Sequence, residues 1–121
     1  MREPPSIDAW GGGGFRVAGL WRPGSLLILD DRPSRWTPVR IEDVEAADFA
    51  AVIAAGRAIS AFVLLGTGAA QALPSRAVRN AIQGAGGAGL GLEFMASEAA
   101  ARLHNVLASE GRRFATALIA V

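Results

Sequence analysis

The chain of 121 residues has no cysteine, no lysine and a single histidine, His104. The first absence excludes disulfides, thiolate catalysis and cysteine-ligated zinc or iron–sulfur clusters. One histidine cannot build a histidine-rich metal site. Without lysine there is no Walker loop, which must end in Gly-Lys-Ser/Thr. An excess of one charge is missing too, because twelve arginines face eleven acidic residues for a net charge of +1. The arginine pairs Arg32 with Arg35 and Arg112 with Arg113 stand isolated, not interleaved with aromatics along a groove, so nucleic acid is not an expected partner. The most apolar stretch, 50–66, is broken by Gly56 and Arg57 and falls short of the roughly 20 residues that span a bilayer, which leaves at most peripheral membrane contact. The opening MREPPSIDAWGGGG lacks the apolar segment of a signal peptide and the Arg-rich, acid-poor character of a transit peptide, so a cytoplasmic location is expected for a bacterial chain. The residues point to no metal, no cofactor and no catalytic constellation, and they leave the oligomeric state open.

With 51% hydrophobic residues, the chain can fill one core but not two. The glycine run Gly11 to Gly14 precedes a strand where a phosphate loop would need a helix, so 1–14 is read as a flexible lead-in and 15–121 as a single domain. Two β-prone runs, 15–20 and 25–29, are joined through Arg22-Pro23-Gly24, which fits a type II turn and predicts a hairpin. RWTPVRI can add an edge strand, since Pro38 argues against a central one. Phe49, Val52 and Ile53 recur at helical spacing over 47–55, with Gly56 as the stop, and a strand follows at 59–65. Pro74 suits a first helical position, Val78 and Ile82 share one face, and GAGGAGLG (84–91) ends that helix. LEFM is the next strand. Ser97 is placed to cap a third helix whose apolar stripe is Ala99, Leu103, Val106 and Leu107, with Gly111 as a left-handed C-cap. FATALIAV closes the chain as a strand apolar on both faces and hence buried on both. The order predicts a layered α/β domain, with an N-terminal β-hairpin, about three helices and a mixed central sheet of about five strands.

Two places are candidate ligand or partner sites. The first is Gly66-Thr67-Gly68, after the apolar run ISAFVLL. Gly66-Thr67-Gly68-Ala69-Ala70-Gln71 lacks the third glycine of a dinucleotide fingerprint, and the next helix does not follow the glycines directly. It is either a tight strand exit that permits close backbone packing or a ligand-facing loop at the carboxyl end of a strand, where α/β crevices open. The second is the polar stripe Glu98, Arg102, Asn105 and Ser109, spaced four, three and four apart and so on one helical face, with Glu98 and Arg102 as an ion pair. This stripe is either a solvated face or a recognition face. Asn105 is a poor mid-helix residue that brings both donor and acceptor, so it could tie the helix to a neighbouring loop. His104 is placed at the boundary of the packed face, hydrogen-bonded to backbone or water. Trp10, Trp21 and Trp36 lie in or beside the predicted hairpin and would form a partner patch if exposed together.

GFRVAG with GSLLIL, then LLGTG, then LEFMASEAAARLHNVLASEGRRFATALI resembles the domain of unknown function 498 family, whose fold is called Mth938-like. The likeness runs from Phe15 onward and is most specific at Met95, Ala99, Ala100, Asn105, Leu107 and Glu110-Gly111-Arg112. This chain has Ala96-Ser97 and Leu103-His104 where the family often has Asp-Thr and Thr-Tyr. The resemblance implies a three-layer α/β fold with a mixed sheet of about five strands. The family includes a mitochondrial respiratory complex I assembly factor and a mammalian adipogenesis-associated protein, so the resemblance also implies a non-enzymatic protein that works through a protein partner, linked to assembly of a membrane respiratory complex. The competing reading is a small-ligand-binding protein or enzyme with its crevice near Gly66-Thr67-Gly68.

Overall fold

The computed structural model describes residues 2–84 and 87–121. Among them, β1 (Ile7–Gly11), β2 (Gly14–Val17) and β3 (Leu20–Pro23) form an antiparallel sheet in the order β1-β2-β3. A second, mixed sheet has the order β5-β4-β8-β6-β7, from β4 (Ser25–Leu29), β5 (Arg32–Trp36), β6 (Phe62–Gly66), β7 (Gly91–Met95) and β8 (Phe114–Leu118). The strand β6 runs parallel to β7 and β8, whereas β4 runs antiparallel to β5 and β8. β8 is thus central, and its residues Ala115 to Leu118 are buried on both faces, as the closing FATALIAV requires, with Thr116 the one polar side chain among them.

The N-terminal third departs from the sequence reading. Residues 7–14 are not a flexible lead-in: Ile7–Gly11 is a paired strand that turns through Gly12-Gly13 directly into β2. Both turn glycines have positive φ (+65° and +86°), the conformation a two-residue hairpin needs to match strand twist. Residues before the strand are tied down as well, because Arg2 makes a two-pronged ion pair with Asp31 and the Pro5 carbonyl accepts from His104. Arg22-Pro23-Gly24 is not the predicted hairpin turn. The turn lies at Ala18-Gly19, between the paired Val17 and Leu20, and Gly24 carries the chain from one sheet into the other. β5 takes the edge position, but it ends at Trp36, before Pro38.

Two layers of helix and sheet cover the mixed sheet. The crossovers β6 to β7 and β7 to β8 run in opposite directions across it, so right-handed connections must place their helices on opposite faces. Accordingly α1 (Ala50–Ala55) and α2 (Arg76–Gln83) share one core with Trp36, Phe49, Val63 and Leu65, while α3 (Ser97–Ser109) and the small sheet share the other with Leu26, Ile28 and Leu64. α1 continues a 3-10 turn, Ala46–Phe49, and stops at Gly56. α2 is capped by Ser75, whose hydroxyl accepts from Val78 N, and it buries Val78 and Ile82 as their spacing demands; Pro74 lies just before the cap. α2 ends at Gln83; of the glycine-rich run read as its stop, Ala85 and Gly86 lie outside the described residues.

α3 differs most from its expected pattern. It buries Ser97, Ala100, Ala101 and His104, whereas Leu103 and Leu107 are only partly buried and Ala99 and Val106 are exposed. Ser97 is the first helical residue, not the cap, which is Ala96. At the other end Gly111 N donates to Ala108 O and Arg112 N to Leu107 O, the paired bonds of a Schellman end around a left-handed glycine.

Candidate functional site

At the end of β6 the chain has no room for a side chain. A Cβ on Gly66 would stand 2.7 Å from Leu118 Cδ2 and 2.8 Å from Ser97 Oγ, so β6, β8 and the start of α3 meet here through backbone and small groups. The next two residues are fastened in place. Thr67 N donates to Met95 O at 2.8 Å, and its hydroxyl donates to Ala70 O at 2.7 Å while accepting from Ala72 N at 3.1 Å. Gly68 N donates to Ser97 Oγ at 2.9 Å, Ser97 Oγ donates to Ile119 O at 2.7 Å, and Ser97 N returns a bond to Gly68 O at 2.8 Å. The fully buried Ser97 hydroxyl therefore clamps three segments, a role its reading as a helix cap did not anticipate.

Two open hollows flank this loop at the carboxyl ends of the parallel strands. One, of about 310 Å³, lies between residues 39–42, the turn 67–70 and Ile119. The other, of about 250 Å³, is lined by Trp10, Gly11, Gly68, Ala69, Glu98 and Val121. The second joins the two sequence candidates, since Gly68 from the strand exit and Glu98 from the helix stripe line the same depression. Above it Glu98 Oε1 accepts from Arg102 at 2.8 Å, and the Arg102 guanidinium lies 5.2 Å from the centre of the Trp10 ring. The pair is about 55–63% exposed and thus open to solvent and to a partner.

Asn105 does not join that face. Its Oδ1 accepts from Ile7 N at 2.8 Å and its Nδ2 donates to Ile7 O at 2.9 Å, so the side chain completes the outer edge of β1 as a neighbouring strand would. The tie goes to a strand where a loop was expected. Ser109 bonds back to Val106 O in its own helix. His104 is buried in the core, not at its boundary: Nε2 donates to Pro5 O at 2.8 Å, which leaves Nδ1 to accept from the Thr116 hydroxyl at 2.8 Å. Burial pushes its pKa below the ordinary histidine value and keeps the ring neutral. The three tryptophans do not form one patch. Trp36 is buried against Phe49, and Trp10 and Trp21 lie on opposite faces of the small sheet, because Trp10 pairs with inward Phe15 and Trp21 with outward Arg16. Among the described residues, no group of three or more His, Asp or Glu is placed to hold a metal ion, and no helix is long and apolar enough to cross a membrane.

Residues 7–119 match the family described as a protein of unknown function, DUF498/DUF598, and the chain belongs to that family. It is 34% identical over 113 residues to an uncharacterized protein of Rhodobacter capsulatus, a match covering 93% of this chain and 82% of the relative. The solution structure of a Xanthomonas campestris protein is similar at 35% identity and a TM-score of 0.77, across 98% of this chain and 86% of that one. A Bordetella pertussis protein described as a Mth938-like domain superposes with the same TM-score at 24% identity, across 98% and 90% of the two chains, which shows the fold. The three-layer arrangement around a five-stranded mixed sheet is thus the Mth938-like fold.

Proposed function

We propose that this DUF498/DUF598 protein is a non-enzymatic protein-interaction module, working as an assembly factor does, and that its partner docks on the face formed by Trp10, Gly68, Ala69, Glu98 and Arg102. The observation that carries this reading is the Arg102 guanidinium held over Trp10 and paired to Glu98 beside an open hollow. Tryptophan and arginine are the residue types that most often anchor interfaces, and a guanidinium already oriented by a carboxylate and a ring loses less freedom on binding. The side chains nearby that could do chemistry are engaged internally: Thr67 holds its own turn, Ser97 clamps backbone, and His104 is neutral in the core. The likeness to a family that includes a respiratory complex I assembly factor supports a role beside a membrane complex under construction. The test is affinity purification from the native cell with mass spectrometry, using the wild type, Arg102→Ala and Glu98→Arg. Both variants should melt like the wild type and lose the co-purifying protein; retention of that protein by both sinks the reading.

A ligand-binding or enzymatic reading is favoured by one observation, the hollow of about 310 Å³ against Thr67 and Gly68 with Arg40 and Glu42 on its rim. It sits at the carboxyl ends of parallel strands, where α/β sheets place small molecules. Native mass spectrometry of the purified protein separates the two, because only this reading expects a small molecule that leaves on Arg40→Ala and stays on Arg102→Ala.

A further inference from the structure

The two sheets present four outer edges, and three are blunted. Asn105 occupies the edge of β1, bonding both polar groups of Ile7. β3 has four residues and ends on Pro23, and β5 carries Pro33 between Arg32 and Arg35. These are the devices by which proteins discourage unwanted strand pairing. The fourth edge, β7, reads Gly-Leu-Glu-Phe-Met, without proline and with one charge. Gly91 N donates to Ala61 O and Met95 O accepts from Thr67 N, so alternation turns Gly91, Glu93 and Met95 toward β6. The N–H and C=O groups of Leu92 and Phe94 therefore point outward, and among the described residues neither residue has a backbone partner on that side.

Beside this edge runs a groove of about 500 Å³ whose apolar walls are Phe62, Leu103 and Leu107. It exists because α3 lies mainly over β6 and against β1 and meets this face of β7 only toward Met95, leaving Gly91 and Glu93 exposed. Gly91 keeps the groove floor low: a Cβ there would approach Phe62 Cβ at 2.9 Å. Glu93 is exposed on that face and forms no ion pair among the described residues, while Arg112 lies over the Phe62 ring at the amino end of the strand.

Charge decides which strand can occupy the edge. In an antiparallel pairing that satisfies both Leu92 and Phe94, Glu93 falls in the close, non-hydrogen-bonded pair between them. A second copy paired on the two-fold axis would set Glu93 directly against Glu93, a destabilising arrangement. Shifting the axis to Leu92 or Phe94 leaves one free residue facing Leu90, whose N–H is already given to Ile82 O, or Ala96, where α3 begins.

We infer that β7 is a docking edge for an extended segment of another protein, with a basic residue opposite Glu93 and an apolar residue two positions later over Gly91. The basic residue forms the cross-strand charge pair, and the apolar one enters the space bounded by Phe62, Leu103 and Leu107. The outward groups of Leu92 and Phe94 supply the main-chain bonds of strand addition. The groove lies at the amino end of β6 and the hollow lined by Trp10 and Gly68 at its carboxyl end, and the two share no lining residue, so this edge does not depend on the function proposed for that face.

The probe is an acetylated, amidated peptide, Ser-Thr-Lys-Val-Leu-Thr-Ser, titrated into isotope-labelled full-length protein and followed by amide chemical shifts. Saturable shifts centred on Leu92 and Phe94, with slowed hydrogen exchange of those two amides, are the expected result. A peptide with Glu in place of Lys should bind about tenfold more weakly. The variant Glu93→Lys, changed at an exposed position, should melt like the wild type and reverse that preference. The inference is overturned by shifts centred elsewhere, by equal binding of both peptides, or by no saturable shift at millimolar peptide. It is also overturned if the same amides shift with protein concentration alone, which would make a second copy the occupant.

Discussion

On the α2 side of the mixed sheet the packing layer consists of large apolar side chains, Trp36, Phe49, Val52, Val78 and Ile82; on the α3 side the helix offers Ala100 and Ala101, with Ser97 and His104 buried among them. Large side chains fill space by dispersion and water exclusion, which have no direction. Alanines instead let α3 approach closely, and at that distance its few polar side chains reach the backbone of Gly68, Ile119 and Pro5. The helix layer on one face is therefore held by volume, whereas α3 on the other is held largely by hydrogen bonds between particular atoms. The large apolar side chains on its side, Ile7, Phe15 and Val17, come from the small sheet. The two faces should fail in different ways.

The largest effect is expected on the side held by volume. Phe49 is fully buried, with its ring 5.4 Å from that of Trp36. Phe49→Ala should cost about 3–5 kcal/mol, a large share of the roughly 5–15 kcal/mol that stabilises a domain. Urea unfolding measures it, and a loss below about 1 kcal/mol would mean this core repacks easily and the contrast between the faces is false.

Ser97→Ala comes next. It removes one oxygen atom, so almost no volume is lost, yet Gly68 N and Ile119 O lose their partner in a buried site. The expected cost is about 1–3 kcal/mol, together with faster hydrogen exchange of the Gly68 amide in the folded protein. Unchanged stability would show that backbone packing around Gly66 holds the strand exit without the clamp.

His104 makes the α3 side sensitive to pH. The unfolded chain takes up its proton near the ordinary value of 6.5, while the buried ring does so only at lower pH. Between those two values the unfolded state binds more protons, so stability is fully present above about 6.5 and declines as pH falls through that window. Urea midpoints measured at pH values on both sides of the window should show the decline in the wild type and its loss in His104→Gln. A wild-type midpoint flat across the window would mean that the ring takes up its proton equally in both states.

The same contrast accounts for what was legible in the sequence. On the α2 side burial follows hydrophobic periodicity, so Val78, Ile82, Phe49 and Val52 could be read from their spacing. On the α3 side periodicity pointed to Ala99, Leu103, Val106 and Leu107, whereas the helix turns Ala100 and Ala101 inward and leaves Ala99 and Val106 exposed. Alanine is ambiguous to a hydrophobicity count, and a buried serine or histidine looks polar until its partners are known. The alternation of strands and helices along the chain and the mixed sheet were legible because β-branched and leucine-rich runs alternate with helical ones, whereas the order of strands within the sheet was not read from the sequence. The first hairpin was not, because Pro23-Gly24 is a strong local turn signal, while Ala18-Gly19 and Gly12-Gly13 gain their meaning only from the strands they join. At the candidate site, the ion pair of Glu98 with Arg102 and the close packing at Gly66 followed from spacing and residue type. The shared hollow beside Trp10 did not, because it depends on the small sheet folding back onto α3.

The smallest effect is expected at Arg102, on the outer face of the same helix. Its pair with Glu98 is more than half exposed, where water and salt screen the charges and two long side chains must be ordered to meet. Arg102→Ala should change stability by about 0.5 kcal/mol or less, and a cycle with Glu98→Ala should give a coupling of only a few tenths. Its contact with the Trp10 ring should still be visible in tryptophan emission, which Arg102→Ala should alter without moving the unfolding midpoint. If the substitution instead costs as much as Ser97→Ala, the outer face is structural like the inner one, and Arg102 is held over Trp10 to join α3 to the small sheet. If the cost is small, folding does not require this arrangement of ring, guanidinium and carboxylate, which leaves the face available for the partner proposed above.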